Sequence, residues 1–223
     1  MEKFRIPSNS ERYAIVGSTG SGKTQFANHI LSYLNWNKKP WIIFDYKHDD
    51  LIGDIPHSEV LGINEKMPKH AGIYIMRPTP RDDEIIEKRL WDIWSKENTG
   101  IYIDEGYMIP EKEGGLQACL TQGRSKKIPM IILSQRPAFI SRFCFTEADI
   151  LTAFRLSDIK DRKRVFELIP EKHKHEIKND LPPYHSLYYD VKKDNFLKLS
   201  PAPDSDTILN VFESRKIKKR KFI

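Results

Sequence analysis

One run of eight residues combines glycines, hydroxyl groups and a lysine at spacings suited to binding a chain of phosphates. Gly17-Ser18-Thr19-Gly20-Ser21-Gly22-Lys23-Thr24 matches the pattern G-x-x-x-x-G-K-[S/T] at every fixed position. The glycines allow a tight turn whose amides reach phosphate oxygens, and the following helix directs its positive end at the same anion. In such a loop Lys23 contacts the β- and γ-phosphates, and Thr24 offers its hydroxyl to Mg²⁺. The run from Gly17 to Thr24 therefore predicts a binding site for a nucleoside triphosphate, which we expect to be ATP with Mg²⁺.

Two adjacent carboxylates follow a short apolar stretch farther along the chain. Ile101-Tyr102-Ile103 has the composition of a buried strand, and Asp104 and Glu105 come directly after it. A carboxylate in this position of an ATP site holds the Mg²⁺ shell, a role we assign to Asp104 together with Thr24. A second carboxylate beside the γ-phosphate polarises the attacking water, which makes Glu105 the candidate catalytic base. The pair favours a hydrolytic ATPase over a small-molecule kinase.

Further polar residues are expected near this site. Gln135 follows the apolar run Met130–Leu133, and a polar residue at the carboxyl end of a buried parallel strand lies at the ligand crevice. Gln135 therefore either senses the γ-phosphate or belongs to an ordinary turn. Arg124 ends a helical segment, where it is either a helix cap or solvated charge, or a catalytic arginine finger supplied to a neighbouring subunit. Asp45 and Lys47 end another predicted strand and either approach the site or form a surface pair.

The apolar runs alternate with segments of helical spacing. The predicted strands are Tyr13–Val16, Trp41–Phe44, Gly72–Met76, Ile101–Ile103, Met130–Leu133 and Ala153–Leu156. The predicted helices are Thr24–Leu34, Asp82–Lys96, Gly115–Arg124 and Asp161–Ile169. Strands that alternate with helices form right-handed βαβ units. We therefore predict an α/β fold in which helices flank a mostly parallel sheet, and with the phosphate-binding loop this fold resembles the P-loop NTPases of the RecA/ASCE type.

The pattern changes near Pro170, which divides the chain into an expected ATPase core, residues 1–170, and a C-terminal appendage, residues 171–223. With 223 residues the chain suits one domain, so we expect the appendage to belong to the same domain as the core. Its predicted elements are an antiparallel hairpin of Tyr184–Val191 and Asn195–Leu199, a terminal helix at Ser205–Lys216 capped by Ser205 or Asp206, and a basic tail.

The composition of the chain bears on its cellular compartment and on the partners that it can bind. The net charge is +6, from 37 Lys and Arg against 31 Asp and Glu, and much of the excess lies between Arg215 and Lys221. A basic tail is a solvated end as readily as a nucleic-acid contact, so this charge permits a polyanionic partner without requiring one. Cys119 and Cys144 lack metal-ligand spacing, and no apolar run approaches the ~20 residues of a membrane span. We expect a reduced, intracellular setting and no transmembrane segment.

Four stretches, in order, resemble the FtsK/HerA superfamily of ring-forming DNA-pumping ATPases. They are Gly17–Thr24, Phe44–Lys47, Ile101–Glu105, and Gly123-Arg124 followed by Leu133–Pro137. The block Ser134-Gln135-Arg136-Pro137 is the most discriminating, since it is similar to the family's Ser/Thr-Gln-Arg-Pro sensor. Over roughly residues 10–165 the chain looks like the small genome-packaging ATPases of membrane-containing icosahedral double-stranded DNA viruses.

The resemblance implies an ATPase that forms a ring, often a hexamer, around double-stranded DNA and packages a viral genome into a preformed capsid. It implies non-specific contacts to DNA phosphates, capsid or membrane proteins of the packaging vertex as candidate partners, and a location in the host cytoplasm or the virion. The family's site maps onto Lys23, Thr24, Asp104, Glu105 and Gln135, whereas Arg124 is a weaker match because arginine fingers shift position among these ATPases. Three alternatives stay open: a conjugation-type or filamentous-phage-assembly ATPase of the same superfamily, a nucleotide-dependent switch that binds a protein, and a P-loop kinase.

Overall fold

A sheet of nine strands forms the centre of the molecule, in a computed structural model that describes residues 4–110, 114–174 and 181–216. The strands are β1 Arg12–Val16, β2 Pro40–Phe44, β3 Glu59–Val60, β4 Gly72–Met76, β5 Gly100–Ile103, β6 Met130–Ser134, β7 Ile150–Phe154, β8 Ser186–Asp190 and β9 Asn195–Leu199. Their order across the sheet is β3-β4-β2-β5-β6-β1-β7-β8-β9. Neighbours from β3 to β7 pair in parallel, and β7–β8 and β8–β9 pair antiparallel. The mostly parallel sheet predicted from the sequence is confirmed.

Helices cover both faces of this sheet. They are α1 Lys23–Tyr33, α2 Asp50–Gly53, α3 Asp83–Lys96, α4 Gly115–Gln122, α5 Phe143–Thr146, α6 Ile159–Phe166 and α7 Ser205–Ser214. None of these helices in the described part of the chain is long and apolar enough to cross a bilayer.

The core lies in two layers, one on each face of the sheet, because side chains along a strand point alternately to opposite faces. Ala14 and Val16 of β1 pack into the layer that α3 and α4 cover. Tyr13 and Ile15 point to the other face, where α1 and α7 cover them. A strand that is buried on both faces consists almost entirely of apolar residues, so these strands can be recognised in the sequence as unbroken apolar runs. Each large side chain buried in this way contributes about 1.5–3 kcal/mol.

The C-terminal hairpin extends the same sheet. Strand β8 pairs antiparallel with β7, and Ile208 and Phe212 of α7 join the core layer over α1. The cap of α7 differs from the prediction, since Asp204 caps this helix by accepting a hydrogen bond from the Thr207 amide at 2.8 Å. Residues 175–180 of the appendage and residues 217–221 of the basic tail lie outside the described residues. The division of the chain at residue 170 stays a prediction.

Several predicted boundaries are wrong. The strand expected at Ala153–Leu156 spans Ile150–Phe154 instead, because Arg155 leaves the strand to accept a hydrogen bond from the Ser18 amide. Helix α6 begins earlier than expected, since Asp158 caps it by accepting from the Lys160 and Asp161 amides. Helix α4 ends at Gln122, two residues before Arg124. The short elements α2, β3 and α5 were not predicted, because two to four residues carry no measurable periodicity.

Candidate active site

The phosphate-binding loop lies at the carboxyl edge of the sheet, where hydrogen bonds hold it to the ends of β6 and β7. The Gly17 amide donates to the Ser134 carbonyl at 3.2 Å, and the Ser18 amide donates to the Arg155 carbonyl at 2.9 Å. A Cβ atom on Gly17 would lie 2.5 Å from Cβ of Phe154, so a larger residue does not fit there. Gly22 has φ +96°, a conformation that favours glycine, and α1 begins at the next residue. The loop therefore places the positive end of α1 at the expected position of the phosphates.

The lysine of this loop is prepared for an anion. Lys23 is 5% exposed, and its Nζ donates to the Ser18 carbonyl at 2.9 Å. Burial and repulsion by Lys47 lower the pKa of Lys23 to about 8, while Asp104 opposes that shift. An ammonium group that is buried and donates to a carbonyl, rather than to a carboxylate, is suited to receive phosphate oxygens.

Asp104 and Thr24 present oxygen atoms next to the loop. The Thr24 hydroxyl donates to Asp104 Oδ1 at 3.3 Å, and Asp104 Oδ2 is buried without a hydrogen bond from any described residue. Burial raises the pKa of Asp104 to about 7 against the attraction of Lys47, with further contributions from Asp49 and Asp45. A hydroxyl and an unsatisfied carboxylate oxygen are the hard ligands that Mg²⁺ prefers. The residues present therefore fit a magnesium ion.

Glu105 is held by two partners. Its carboxylate forms an ion pair with Lys47, and its Oε2 accepts a hydrogen bond from the backbone N–H of Gln135 at 3.3 Å. Asp45 pairs instead with Arg77, with Nε and Oδ2 3.2 Å apart, so the surface-pair interpretation of Asp45 and Lys47 is wrong. Lys47 belongs to the candidate site.

Gln135 connects the loop to the end of β5. Its side-chain oxygen accepts a hydrogen bond from the Thr19 hydroxyl, and its Nε2 donates to the Tyr107 hydroxyl at 3.0 Å. Together with the bond to Glu105, these contacts join three segments that are distant in sequence. Tyr107 was not identified from the sequence, because one tyrosine after an Asp-Glu pair has no distinctive spacing.

Arg124 lies away from this group. It forms an ion pair with Asp149, which also binds the Arg12 guanidinium at 3.2 Å. Arg12 begins β1, whereas the phosphate-binding loop follows its end, so five residues of strand separate them by roughly 16 Å. The structure thus brings together Lys23, Thr24, Asp104, Glu105 and Gln135 but leaves Arg124 at the opposite edge. A contribution to another subunit's site stays a prediction.

Solved structures with this fold include P-loop ATPases. The chain is similar to the genome packaging NTPase B204 of Sulfolobus turreted icosahedral virus 2, solved with AMPPCP, with a TM-score of 0.67 and 18% identity over 88% of this chain and 100% of that one. It is also similar to ATPases 2 and 3 of EssC from Geobacillus thermodenitrificans, with a TM-score of 0.64 and 16% identity over 92% of this chain and 43% of that one. At these identities the likeness shows a shared fold.

Sequence comparison shows the family. The model of DUF87, described as the central domain of helicase HerA, matches residues 5–51, which include the phosphate-binding loop. The chain is 42% identical to the DNA packaging ATPase P9 of Enterobacteria phage PRD1, over 97% of this chain and 98% of that protein. With this identity over nearly the full length of both proteins, the chain belongs to the family of the phage PRD1 packaging ATPase, within the HerA and FtsK type.

Proposed function

We propose that this protein is an ATPase that moves double-stranded DNA into a preformed viral capsid. The observation that carries the ATPase assignment is the contact of Thr24 with Asp104. Glu105 lies beside them, and Gln135 connects it to the loop by hydrogen bonds to Glu105 and to Thr19. This arrangement combines a phosphate-binding loop, a metal-binding pair and a buried base. The DNA cargo is proposed from the family, whose phage PRD1 member is named a DNA packaging ATPase.

The proposed reaction transfers the γ-phosphoryl group of ATP to water. Loop amides and Lys23 hold the phosphates, and Glu105 accepts a proton from the attacking water as the bond between the γ-phosphorus and the bridging oxygen breaks. Mg²⁺, held by Thr24 and Asp104, would neutralise the charge that develops on the phosphate oxygens. Gln135 positions the water, and its bond to Thr19 makes it sensitive to the occupant of the loop.

A bound nucleotide competes for contacts that the site makes internally. Phosphate oxygens compete with the Ser18 carbonyl for Lys23, and the ion pair with Lys47 makes Glu105 a weaker proton acceptor, so we expect both contacts to weaken when ATP binds. ATP binding therefore rearranges the ends of β2, β5 and β6 together. We propose that this rearrangement is transmitted to loops that contact DNA.

The assembly is proposed to be a ring, most simply a hexamer, in which Arg124 acts at the site of the adjacent subunit. The opposite location of Arg124 and the loop within one subunit supports such a contact between subunits. We propose further that the ring contacts DNA phosphates without sequence preference. Its location is the host cytoplasm or the packaging vertex of the virion, where capsid or membrane proteins are candidate partners. Phosphate contacts make DNA binding weaken with rising salt.

The test is ATP turnover with and without double-stranded DNA, at 50 and 200 mM salt in the presence of Mg²⁺, with the mass in solution measured alongside. We expect duplexes of unrelated sequence to stimulate turnover equally at low salt, and we expect the stimulation to fall at high salt. Lys23→Ala, which removes the phosphate contact, should abolish the turnover. A rate that is indifferent to DNA would instead favour a nucleotide-dependent switch for a protein partner.

A further inference from the structure

We propose that Tyr184 forms a stacking surface for the nucleobase, and that the nucleobase subsite lies on the β7–β8 side of the phosphate-binding loop. This inference rests on the proposed function, since it requires a nucleotide in the loop. It adds a residue of the C-terminal hairpin region, far from the phosphate-binding motifs in sequence, to the binding site.

The arrangement of strands determines in which direction the nucleotide extends. Glu105 and Gln135 follow β5 and β6, which lie on one side of β1 in the sheet. The γ-phosphate must face that side, because the attacking water is activated there. The opposite end of the nucleotide, which carries the ribose and the base, therefore extends toward the other side of the loop, where β7 and β8 lie.

Tyr184 occupies that side. Its ring lies beside the last glycine of the loop, since a Cβ atom on Gly22 would be 3.3 Å from Cδ1 of Tyr184. Strand β8 runs antiparallel to β7, and its first residue, Ser186, pairs with the last residue of β7, Phe154. The residues just before β8 therefore lie at the carboxyl edge of the parallel strands, next to the loop. The side chain of Tyr184 is accessible, as the residue is 57% exposed. An exposed aromatic ring next to the phosphate-binding loop is in place to stack on a base.

The backbone at Tyr184 is strained in a way that holds the ring. The His185 amide donates to the Pro182 carbonyl at 3.2 Å, closing a four-residue turn with Pro183 second and Tyr184 third. Tyr184 has φ +62°, in the region that favours glycine or asparagine at this position of a turn. Bulky residues with positive φ concentrate at ligand sites, and proline restricts the freedom of the turn. Glycine would make this turn more stable, yet the position holds a tyrosine, whose ring the turn keeps in a fixed place beside the loop.

The test compares two ligands that share the phosphates and differ in the base. Binding of ATP and of inorganic tripolyphosphate, each with Mg²⁺, is measured by calorimetry for the wild type and for Tyr184→Ala. Loss of a stacking partner should weaken ATP binding about 10-fold or more and leave tripolyphosphate binding unchanged. Tyr184→Phe should retain ATP affinity. GTP affinity should fall by the same factor as ATP affinity, since stacking alone does not discriminate between purines.

Two further variants separate stacking from folding. Tyr184→Gly suits the positive φ and should lose ATP affinity while the protein unfolds at the same temperature or higher. Tyr33→Ala removes an exposed tyrosine near the C-terminal end of α1 and should leave the affinities for ATP and for tripolyphosphate unchanged. The proposal is overturned if Tyr184→Ala leaves ATP affinity unchanged or weakens both ligands equally. If all ATP effects appear as expected but DNA does not stimulate turnover, the nucleobase subsite stands and the DNA motor fails.

Discussion

The two edges of the sheet hold buried carboxylates in opposite ways. At the carboxyl edge, Asp104 is 1% exposed, one of its oxygens has no hydrogen bond from the described residues, and burial raises its pKa to about 7. At the amino edge, Glu11 is 6% exposed, and burial alone would raise its pKa. Hydrogen bonds from Arg5, the Ser8 amide and Lys192 outweigh burial there and lower the pKa of Glu11 to about 2. Both carboxylates are shielded from solvent, but only Glu11 has enough hydrogen-bonding partners to reverse the effect of burial on its pKa.

The amino edge is an ion-pair network with several partners for each buried carboxylate. Asp149 binds Arg12, Arg124 and Lys192, and Lys192 also binds Glu11, with Nζ and Oε1 3.1 Å apart. This network connects the starts of β1 and β7 to the end of β8. The amino edge therefore stabilises the fold, whereas the carboxyl edge leaves one oxygen of Asp104 without a hydrogen bond from the described residues, available to a ligand.

The largest expected effect would break this comparison, since it assigns catalysis to a residue of the stabilising edge. If Arg124 acts in the site of a neighbouring subunit, Arg124→Ala should lower ATP turnover by ~10³-fold and leave ATP affinity unchanged. Mixing this variant with Glu105→Gln should restore part of the turnover, because mixed assemblies contain some sites with both residues. Asp149→Asn removes the partner of Arg124 within the subunit and serves as the matched control. A loss of stability in both variants, larger for Asp149→Asn because that carboxylate also pairs with Arg12 and Lys192, together with no rescue on mixing, would assign Arg124 to the network alone.

A second prediction sharpens the role of the carboxyl edge. Glu105→Gln should lower turnover by about 10²–10⁴-fold, because the amide cannot accept the proton of the attacking water. ATP affinity should stay within a few-fold of the wild type, since Glu105 does not hold the phosphates. Turnover and calorimetric binding measure the two quantities. Glu97→Gln, at an exposed ion pair with Lys126, is the control and should behave as the wild type.

Stability at the amino edge should depend on pH through Glu11. The folded pKa of about 2 lies below the ordinary value of 4.5, so the contribution of Glu11 is complete above about pH 5 and disappears as pH falls toward 2. Glu11→Gln should lower the free energy of unfolding by roughly 2 kcal/mol at pH 7 and by less at pH 3. Urea unfolding at both values measures this difference. A constant difference across the pH range would contradict the ion-pair explanation.

The smallest expected effect is a gain of stability at the active site. The folded pKa of Asp104 is raised, so its ionisation opposes folding increasingly as pH rises from about 4 through 7. Asp104→Asn should remove this penalty and raise the unfolding temperature by a few degrees at pH 8, while the protein loses Mg²⁺-dependent turnover. The gain is moderated because the variant also loses the attraction between Asp104 and Lys47. Asp206→Asn is the control, since it removes an exposed carboxylate from the first turn of α7 and should lower the unfolding temperature slightly rather than raise it.

Sequence reasoning succeeded where the signal is local. The bounds predicted for β4 and β9 agree with the structure, since apolar composition and flanking turn residues determine them within a few positions. The strand β7 was predicted to begin three residues late and to end two residues late, and its true end is defined by the contact of Arg155 with the loop. The cap of α7 was misplaced by one or two residues, since Asp204, Ser205 and Asp206 are all chemically able to cap a helix.

The phosphate-binding loop, the Asp104–Glu105 pair and the alternation of strands and helices can all be predicted from the sequence, because each depends on residues that are neighbours along the chain. Three contacts between distant segments become evident only in the folded chain: Lys47 pairs with Glu105, Gln135 contacts Thr19, and Tyr184 lies beside Gly22. It also placed Arg124 at the other edge. These relations depend on the insertion of β1 between β6 and β7, and that order follows from the packing of whole elements rather than from any local pattern.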